Sequence, residues 1–335
     1  MPSGAIMASK QRGSVAEIAE APSTRPKSAA TGLDSGCRHL AAEARSVAHL
    51  DRTDRLRWFR EQEIWIPYPH ATSALRKVQD LIDRPRRDRM RGLLVIAESN
   101  NGKSRLAREC LAKNPLDPNE GGDHVRLPAL CLELPAKPDE AAVLDGLLIA
   151  LNQPFRRKDS LTERRDQLVK IMQRCEVRAL LVDEISRLLG SRQDVRRVVM
   201  DALRYLANRV PAPLVAFSTK RGANALAASD EMINRMHPVV LPVWNLDDAF
   251  RSLVADFEAL LPLREPSRLT KKSMVATIHA MSGGLIGEVR DILEAALAAA
   301  FASGAESIDE TLLRSLDWTA PDDRKRMIGV PGAVK

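Results

Sequence analysis

The feature that most constrains this chain is a short loop between a predicted strand and a predicted helix. The apolar run Leu93–Ala97 leads directly into it, and helical spacing follows over Ser104–Leu111. Eight residues match the pattern GxxxxGK followed by Ser or Thr, with alanine at the first glycine: Ala97, Glu98, Ser99, Asn100, Asn101, Gly102, Lys103 and Ser104. This order points backbone N–H groups and a helix dipole at an anion, so the segment predicts a phosphate-binding loop.

Three residues at the end of this loop have separate expected roles. Lys103 is expected to reach the β- and γ-phosphates of a nucleotide, and Ser104 to bind Mg²⁺. Arg105 follows in the first helical turn, and we include it among the nucleotide contacts. Ala97 tolerates fewer backbone angles than glycine but is small, so we expect the loop to persist.

Short apolar runs alternate with helical stretches as far as Leu241. After Leu93–Ala97, the predicted strands are Ala129–Leu134, Ala179–Val182, Leu214–Phe217 and Val239–Leu241. The helical stretches between them are Asp139–Leu151, Leu161–Cys175, Gln193–Asn208 and Asn224–Met236. This alternation predicts an α/β fold with a doubly wound, five-stranded parallel sheet. Beyond Pro242 only helical spacing remains, which predicts a small helical lid domain.

The chain therefore divides into four predicted parts. Residues 1–40 are rich in Ser, Ala, Pro and Gly and predict a disordered tail, with translation from Met1 or Met7 left open. Residues 41–242 form the nucleotide-binding α/β domain with an N-terminal helical extension, interrupted by an extended break at Ile66–Pro69. Residues 243–318 form the lid, and residues 319–335 a flexible C-terminal tail.

Composition excludes several classes of protein. Hydrophobic residues make up 44% of the 335, enough for a sizeable core, and no apolar run is long enough to span a membrane. The four cysteines form no CxxC pair, which excludes a disulfide scaffold and argues against zinc. We therefore expect a soluble, reduced, cytoplasmic protein. A net charge of +7 is compatible with a polyanionic partner without proving one.

Two later strands end in polar groups suited to hydrolysis. The strand from Ala179 ends in Asp183 and Glu184, of which the first is expected to hold Mg²⁺ through water and the second to polarise the attacking water. The strand from Leu214 ends in Ser218 and Thr219, and Thr219 is expected beside the γ-phosphate. With the trailing helical lid, these features predict a nucleotide hydrolase of the AAA+ type that uses ATP and Mg²⁺.

With these residues in place, the chain resembles the TniB-type transposition ATPases, relatives of TnsC and MuB, from about residue 45 to 315. The segments that carry the resemblance are Trp58–Tyr68, Pro85–Met90, Ser99–Ser104, Leu203–Asn208, Leu241–Trp244, Leu261–Arg264 and Gly284–Glu288. The family usually has glycine at Ala97, and Gly-Thr where this chain has Ser218 and Thr219. Neither departure removes a catalytic group.

The resemblance implies an ATP-bound homo-oligomer, a filament or ring on double-stranded DNA. Such an oligomer would select the target and recruit a DDE-type transposase of the same element, and ATP hydrolysis would disassemble it. The nucleotide would lie at a subunit boundary, where Arg235 fits the role of an arginine supplied in trans, although an ordinary helix-end ion pair is the alternative. Ile66 and Tyr68 would flank the adenine or simply pack in the core. Arg290 is available to the γ-phosphate, but lies about a turn late in its helix.

Basic residues in two connections are candidates for contact with DNA phosphates. Lys137 lies in the loop after the second predicted strand, and Arg156, Arg157 and Lys158, followed by Arg164-Arg165, lie in and after the next connection. A solvated basic face is the alternative for any one of them. Contact with phosphates alone would give weak sequence preference and a steep dependence on salt.

The helix Gln193–Asn208 has a different pattern. Its residues Arg197, Asp201 and Arg204 are spaced to pair along one face, so we assign them to helix support or subunit contacts. The opposite face is expected to be buried, and its apolar residues are Val195, Val198, Ala202 and Leu206.

Three other functions use the same core. A replication helicase loader or initiator-like ATPase would bind a hexameric helicase or single strands instead of a transposase. A structural DNA-coating protein would use ATP only as a bound switch, and would not need Glu184. A small-molecule kinase would leave the lid and Arg235 without a clear role.

Overall fold

Five strands form one parallel sheet. The computed structural model describes residues 37–87, 90–156, 158–227 and 236–329. The strands are β1 (Leu93–Ile96), β2 (Ala129–Glu133), β3 (Ala179–Asp183), β4 (Leu214–Ser218) and β5 (His237–Val240). Their order is β2-β3-β4-β1-β5, and each of the four pairings is parallel. The predicted five-stranded parallel sheet is confirmed.

The central strands are apolar because both faces of the sheet are covered by helices. Each residue of β3 and β4 is buried, and β1 lies beside β4 with Ile96 opposite Ser218. The helices along the sheet are α3 (Pro69–Asp83), α4 (Lys103–Lys113), α5 (Glu140–Ala150), α6 (Leu161–Arg174), α7 (Gln193–Arg209) and α8 (Lys220–Ala227). Parallel strands bring their carboxyl ends to one edge, which is where the polar loops of the sequence gather.

The lid has its own hydrophobic core. Its helices are α9 (Asp248–Leu260), α10 (Lys272–Ser282), α11 (Ile286–Ser303), α12 (Glu310–Ser315) and α13 (Pro321–Met327). Two N-terminal helices precede the sheet, α1 (Ala42–Val47) and α2 (Arg52–Glu61). Phe59 of α2 is fully buried in the lid core, so the N-terminal extension packs on the lid, whereas the sequence grouped it with the α/β domain.

The structure departs from the sequence predictions at three places. The predicted helix Asn224–Met236 begins earlier, at Lys220, and residues 228–235 lie outside the described residues. Val198 is 47% exposed instead of buried, because the buried stripe of α7 runs through Val199 and Leu203. A flexible tail was predicted from residue 319, yet α13 forms there. The predicted N-terminal tail falls mostly on residues 1–36, also outside the described residues.

Within the described ranges, no helix combines the length and the apolar character that crossing a bilayer requires.

Candidate nucleotide-binding site

The phosphate-binding loop lies between β1 and α4, in the centre of the sheet. The Ala97 N–H donates to the Ser218 carbonyl at 3.1 Å and continues the pairing of β1 with β4. Asn100 (φ 57°) and Gly102 (φ 83°) have left-handed backbone conformations that turn the chain into the helix. Ala97 does not have a positive φ, so alanine at the first motif position causes no backbone strain.

Lys103 lies inside this loop and is only 5% exposed. Its Nζ donates to the carbonyls of Ala97 (3.1 Å) and Glu98 (2.8 Å). Burial lowers the pKa of Lys103, and the nearby carboxylates of Glu184, Asp183 and Glu98 oppose that shift. A buried ammonium held by loop carbonyls, next to helix amides that have no intrahelical acceptor, is suited to bind phosphate.

The two asparagines of the loop attach it to the lid. Asn101 is fully buried, and its Nδ2 donates to the carbonyls of Leu241 (3.1 Å) and Pro242 (3.0 Å), where the chain leaves the sheet for the lid. The Asn100 carbonyl accepts from the Gly287 N–H at 3.0 Å, in the first turn of α11. A side chain at Gly287 would place its Cβ 1.9 Å from Asn100 Oδ1, so this close approach requires glycine.

The acidic pair follows β3, two strands from the loop. Asp183 is 7% exposed, and its Oδ1 accepts the backbone N–H of Glu184 at 2.8 Å. Glu184 has a left-handed backbone (φ 55°), and its Oε2 accepts from the Ser186 hydroxyl at 3.4 Å. Lys103 and Glu184 line one cavity, and the carboxylates of Glu184 and Asp183 oppose the effect of burial on the pKa of Lys103.

At the tip of β4 the two hydroxyls differ. Thr219, which the sequence placed beside the γ-phosphate, accepts the Gly222 N–H at 3.1 Å and so caps α8. Ser218 is fully buried, and its hydroxyl has no hydrogen-bond partner. Thr219 keeps its own O–H proton to donate, while Ser218 has an unpaired hydroxyl but does not line the cavity beside the loop.

A cavity of about 520 Å³ opens beside the loop. The predicted adenine contacts Ile66 and Tyr68 both line it, as do Glu184 and Arg290. Burial raises the pKa of Tyr68 to about 12, and its ring packs on Trp244 with centroids 4.9 Å apart. The cavity wall has an apolar part, with Ile66 and Tyr68, that suits a base, and a cationic part, with Lys103, that suits phosphates.

Arg105 and Arg290 also line this cavity, and both are engaged. Arg105 forms an ion pair with Glu63 at 2.5 Å. Arg290 donates to the Arg60 carbonyl at 3.0 Å and lies 3.9 Å from Glu294. Arg290 therefore reaches the cavity wall but is committed to the lid and to α2.

The residues present fit a nucleotide with its metal ion. Lys103, whose Nζ is held by carbonyls, provides a cation, and Ser104 beside it lines the same cavity. Ser104 and Asp183 are the residues that would hold Mg²⁺, which binds through few protein ligands plus substrate phosphates. Among the described residues, no group of three or more His, Cys, Asp or Glu forms a metal site by itself.

The predicted DNA contacts lie in the connections before and after α5. Lys137, Arg156 and Lys158 are exposed, while Arg157 lies outside the described residues. Arg165, near the start of α6, contacts Glu140 in the first turn of α5.

The neighbouring Arg164 and Arg165 join α5 and α6. Arg164 is 6% exposed and pairs with Asp145 at 2.9 Å, so burial argues against its predicted contact with DNA phosphates. Arg165 pairs with Glu140 and its side chain is 36% exposed, so its phosphate contact stays a prediction. Arg235, the predicted trans arginine, falls within residues 228–235 and lies outside the described structure.

Sequence reasoning missed the function of three residues at the site. Asn101 and Gly287 hold the loop on the lid, and Ser218 supplies the unpaired hydroxyl. A buried asparagine inside a phosphate-binding loop was the available signal for the first. The others depend on contacts between segments far apart in the chain.

The chain is similar to known proteins in family and in fold. The family described as "Bacterial TniB protein" matches residues 55–246. No curated protein sequence matches the chain. Among solved structures, the chain is similar to the ORC2 protein of Aeropyrum pernix in ADPNP–ADP complexes, with 18% identity, coverage of 79% of this chain and 70% of that chain, and a TM-score of 0.55.

A second similar structure is Cdc6p from Pyrobaculum aerophilum. The identity is 17%, the match covers 75% of this chain and 67% of that chain, and the TM-score is 0.50. At such identities the likeness concerns the fold alone, and with the sheet order it confirms the predicted AAA+ architecture.

Proposed function

The chain belongs to the bacterial TniB protein family, and from this premise we propose that it is an ATP-hydrolysing regulator of transposition. ATP-bound copies assemble on double-stranded DNA, select the target and recruit a DDE-type transposase of the same element. Hydrolysis then disassembles the oligomer. The observation that carries the proposal is the buried Lys103 next to Asp183 and Glu184, in a phosphate-binding loop held by the lid.

The roles of this chain's own residues follow from their positions. Lys103 and the α4 amides bind the phosphates. Ser104 and Asp183 would hold Mg²⁺, which when bound would supply charge neutralisation at the phosphate oxygens. Glu184 orients and polarises the attacking water, and a hydroxyl at the end of β4, Thr219 or Ser218, donates to the transferred phosphate. Ile66 and Tyr68 hold the base, and Arg235 comes from the adjacent subunit.

The attachment of the loop to the lid supports a response to nucleotide. Asn101 bonds to Leu241, where the chain enters the lid, and Asn100 bonds to Gly287 within the lid. Binding of nucleotide to the loop and the orientation of the lid should therefore stabilise each other. We infer that ATP stabilises the lid position in which neighbouring copies can assemble.

Fluorescence anisotropy on a long labelled duplex tests the proposal. We expect tight, cooperative binding that grows with duplex length with a slowly hydrolysed ATP analogue, and weak binding with ADP or no nucleotide. Binding that ignores the nucleotide, or no binding to duplex DNA, would refute the model. Addition of the transposase then tests recruitment by co-sedimentation with the ATP-bound assembly.

The second candidate is a helicase loader or initiator-like ATPase, and the fold similarity to ORC2 and Cdc6p favours it. It predicts capture of a hexameric helicase or a preference for single-stranded DNA in the same assay.

A further inference from the structure

The C-terminal helix α13 contacts the nucleotide site through a single buried carboxylate. The sequence predicts a flexible tail here, yet Arg324 of α13 forms an ion pair with Glu288 Oε2 at the start of α11. The same guanidinium lies 5.8 Å from the centroid of the Trp318 ring. Trp318 is in turn held by its Nε1, which donates to the Met281 carbonyl at 3.0 Å.

Glu288 connects this helix to the phosphate-binding loop. It is 5% exposed, and each of its oxygens has a different partner. Oε2 faces Arg324, and Oε1 accepts from Asn100 Nδ2 at 3.1 Å. Asn100 Nδ2 is also 3.3 Å from Asp291 Oδ2, a second and more exposed acceptor.

Asn100 needs such support because its backbone has a left-handed conformation in the middle of the loop. Its carbonyl is held by the Gly287 N–H and its side chain by Glu288, one residue further along α11. The Arg324 side chain is 48% exposed and that of Glu288 only 7%, so removal of Arg324 leaves a buried carboxylate without its cation. Without Arg324, Glu288 would reorient toward water, and Asn100 would lose its buried acceptor.

We propose that Arg324 is a positioning residue for the phosphate-binding loop, acting through Glu288 on Asn100. The C-terminal helix thereby keeps the loop organised for phosphate, and displacement of that helix lowers nucleotide affinity. Binding to a loop that must first be ordered costs free energy that a preorganised loop does not require. This inference rests on the proposed binding of nucleotide at Lys103.

Titration of the full chain with fluorescent N-methylanthraniloyl-ADP in the presence of Mg²⁺ tests the inference. We expect Arg324→Ala to raise Kd about fivefold or more, the range typical of coupled sites. Arg324→Lys, which keeps the charge, should recover part of this affinity. The matched control is Arg326→Ala, since Arg326 is 69% exposed and pairs only with Asp323 of its own helix in the described structure.

A double-mutant cycle separates positioning from simple stability. Glu288→Gln keeps an oxygen for Asn100 but severs the ion pair, so we expect a similar rise in Kd. Adding Arg324→Ala to Glu288→Gln should then have no further effect. If Arg324→Ala fails to fold, Glu288→Gln and Arg324→Lys carry the test.

Two results would overturn the inference: an unchanged Kd in folded Arg324→Ala and Glu288→Gln, or effects of the two changes that simply add. Failure of the proposed function looks different, because the unaltered chain would then bind no nucleotide, or bind it without any effect on duplex DNA.

Discussion

The two terminal nitrogens of Arg55 each lie 2.8 Å from the carboxylate of Glu306, although 251 residues separate them in the chain. Arg55 is 1% exposed, also donates to the Pro262 carbonyl, and covers the Phe301 ring at 4.6 Å. Helix α2 is thus anchored on the lid. The extended segment with Ile66 and Tyr68 follows α2 directly, so this wall of the nucleotide cavity is attached to the lid.

This ion pair predicts a specific dependence of stability on pH. Hydrogen bonds from Arg55 are the main cause that lowers the pKa of Glu306 from 4.5 to about 2. A carboxyl whose folded pKa is lowered stabilises the fold above its unfolded pKa, and this contribution is lost as the pH falls from about 4.5 toward 2.

We therefore expect Glu306→Gln to be destabilised by about 3 kcal/mol at neutral pH, because Arg55 remains buried and unpaired. Its free energy of unfolding should change less than that of the unaltered chain on acidification through this range. Urea unfolding across the range measures both effects. Glu265→Gln, on the lid surface, is the control, and equal acid sensitivity of all three proteins would contradict the prediction.

Glu184→Gln should abolish turnover while ATP still binds. The amide keeps the size of the side chain but cannot accept the water's proton, and loss of a general base typically costs about 10²–10⁴-fold. Phosphate release measures turnover, and nucleotide titration measures binding. Glu120→Gln, in an exposed connection, is the control. Turnover within a few-fold of the unaltered chain would remove Glu184 from this role.

The two hydroxyls at the tip of β4 can be separated by substitution. Ser218→Ala removes an unpaired buried hydroxyl, so stability should stay the same or rise, whereas turnover should fall about tenfold, the equivalent of one hydrogen bond. Thr219→Val removes the cap on Gly222 and should cost about 1 kcal/mol of stability without a change in turnover. The reverse pattern would restore Thr219 to the catalytic position predicted from sequence.

Arg235→Ala should lower turnover about 10³-fold and spare nucleotide binding, if the residue acts on the γ-phosphate of a neighbouring copy. Mixing provides the sharper measurement. Arg235→Ala copies retain Glu184, and Glu184→Gln copies retain Arg235, so mixed oligomers should recover turnover that neither protein has alone. No recovery on mixing, under conditions in which both assemble, would exclude a role in trans.

Local pattern was sufficient to predict the strands and their parallel pairing, whereas the roles of the nucleotide residues stay a prediction. Each strand is a short buried run between loops, and the polar loops meet at one edge because the strands are parallel. The packing of α2 could not be predicted from the sequence. Arginine is usually a surface residue, and Arg55 is buried because it pairs with Glu306, 251 positions later in the chain. Helix α13 carries two acids followed by three basic residues and no apolar stripe, so its packing through Arg324 and Glu288 gives no periodic signal in the sequence.

The exposed basic residues give the last prediction. Lys137, Arg156 and Lys158 are exposed and lie in the connections before and after α5. Positive charge aimed at phosphates releases counterions, so the logarithm of the DNA-binding constant should fall linearly with the logarithm of salt concentration.

Changing these three residues together with Arg157 to glutamine should weaken ATP-dependent duplex binding and reduce that slope by about one for each phosphate that is no longer neutralised. Anisotropy titrations at several salt concentrations measure the slope. The control removes the same number of charges and carries glutamine at Arg57, Lys113, Arg174 and Arg314, which are also exposed but pair with acids. It should keep nearly the full slope, because its altered residues are not expected to contact DNA. An effect of net charge alone would lower the slope equally in both variants. If the slope falls equally in both variants, these connections bind DNA no differently from the rest of the basic surface, and the DNA interface must be sought elsewhere on the oligomer.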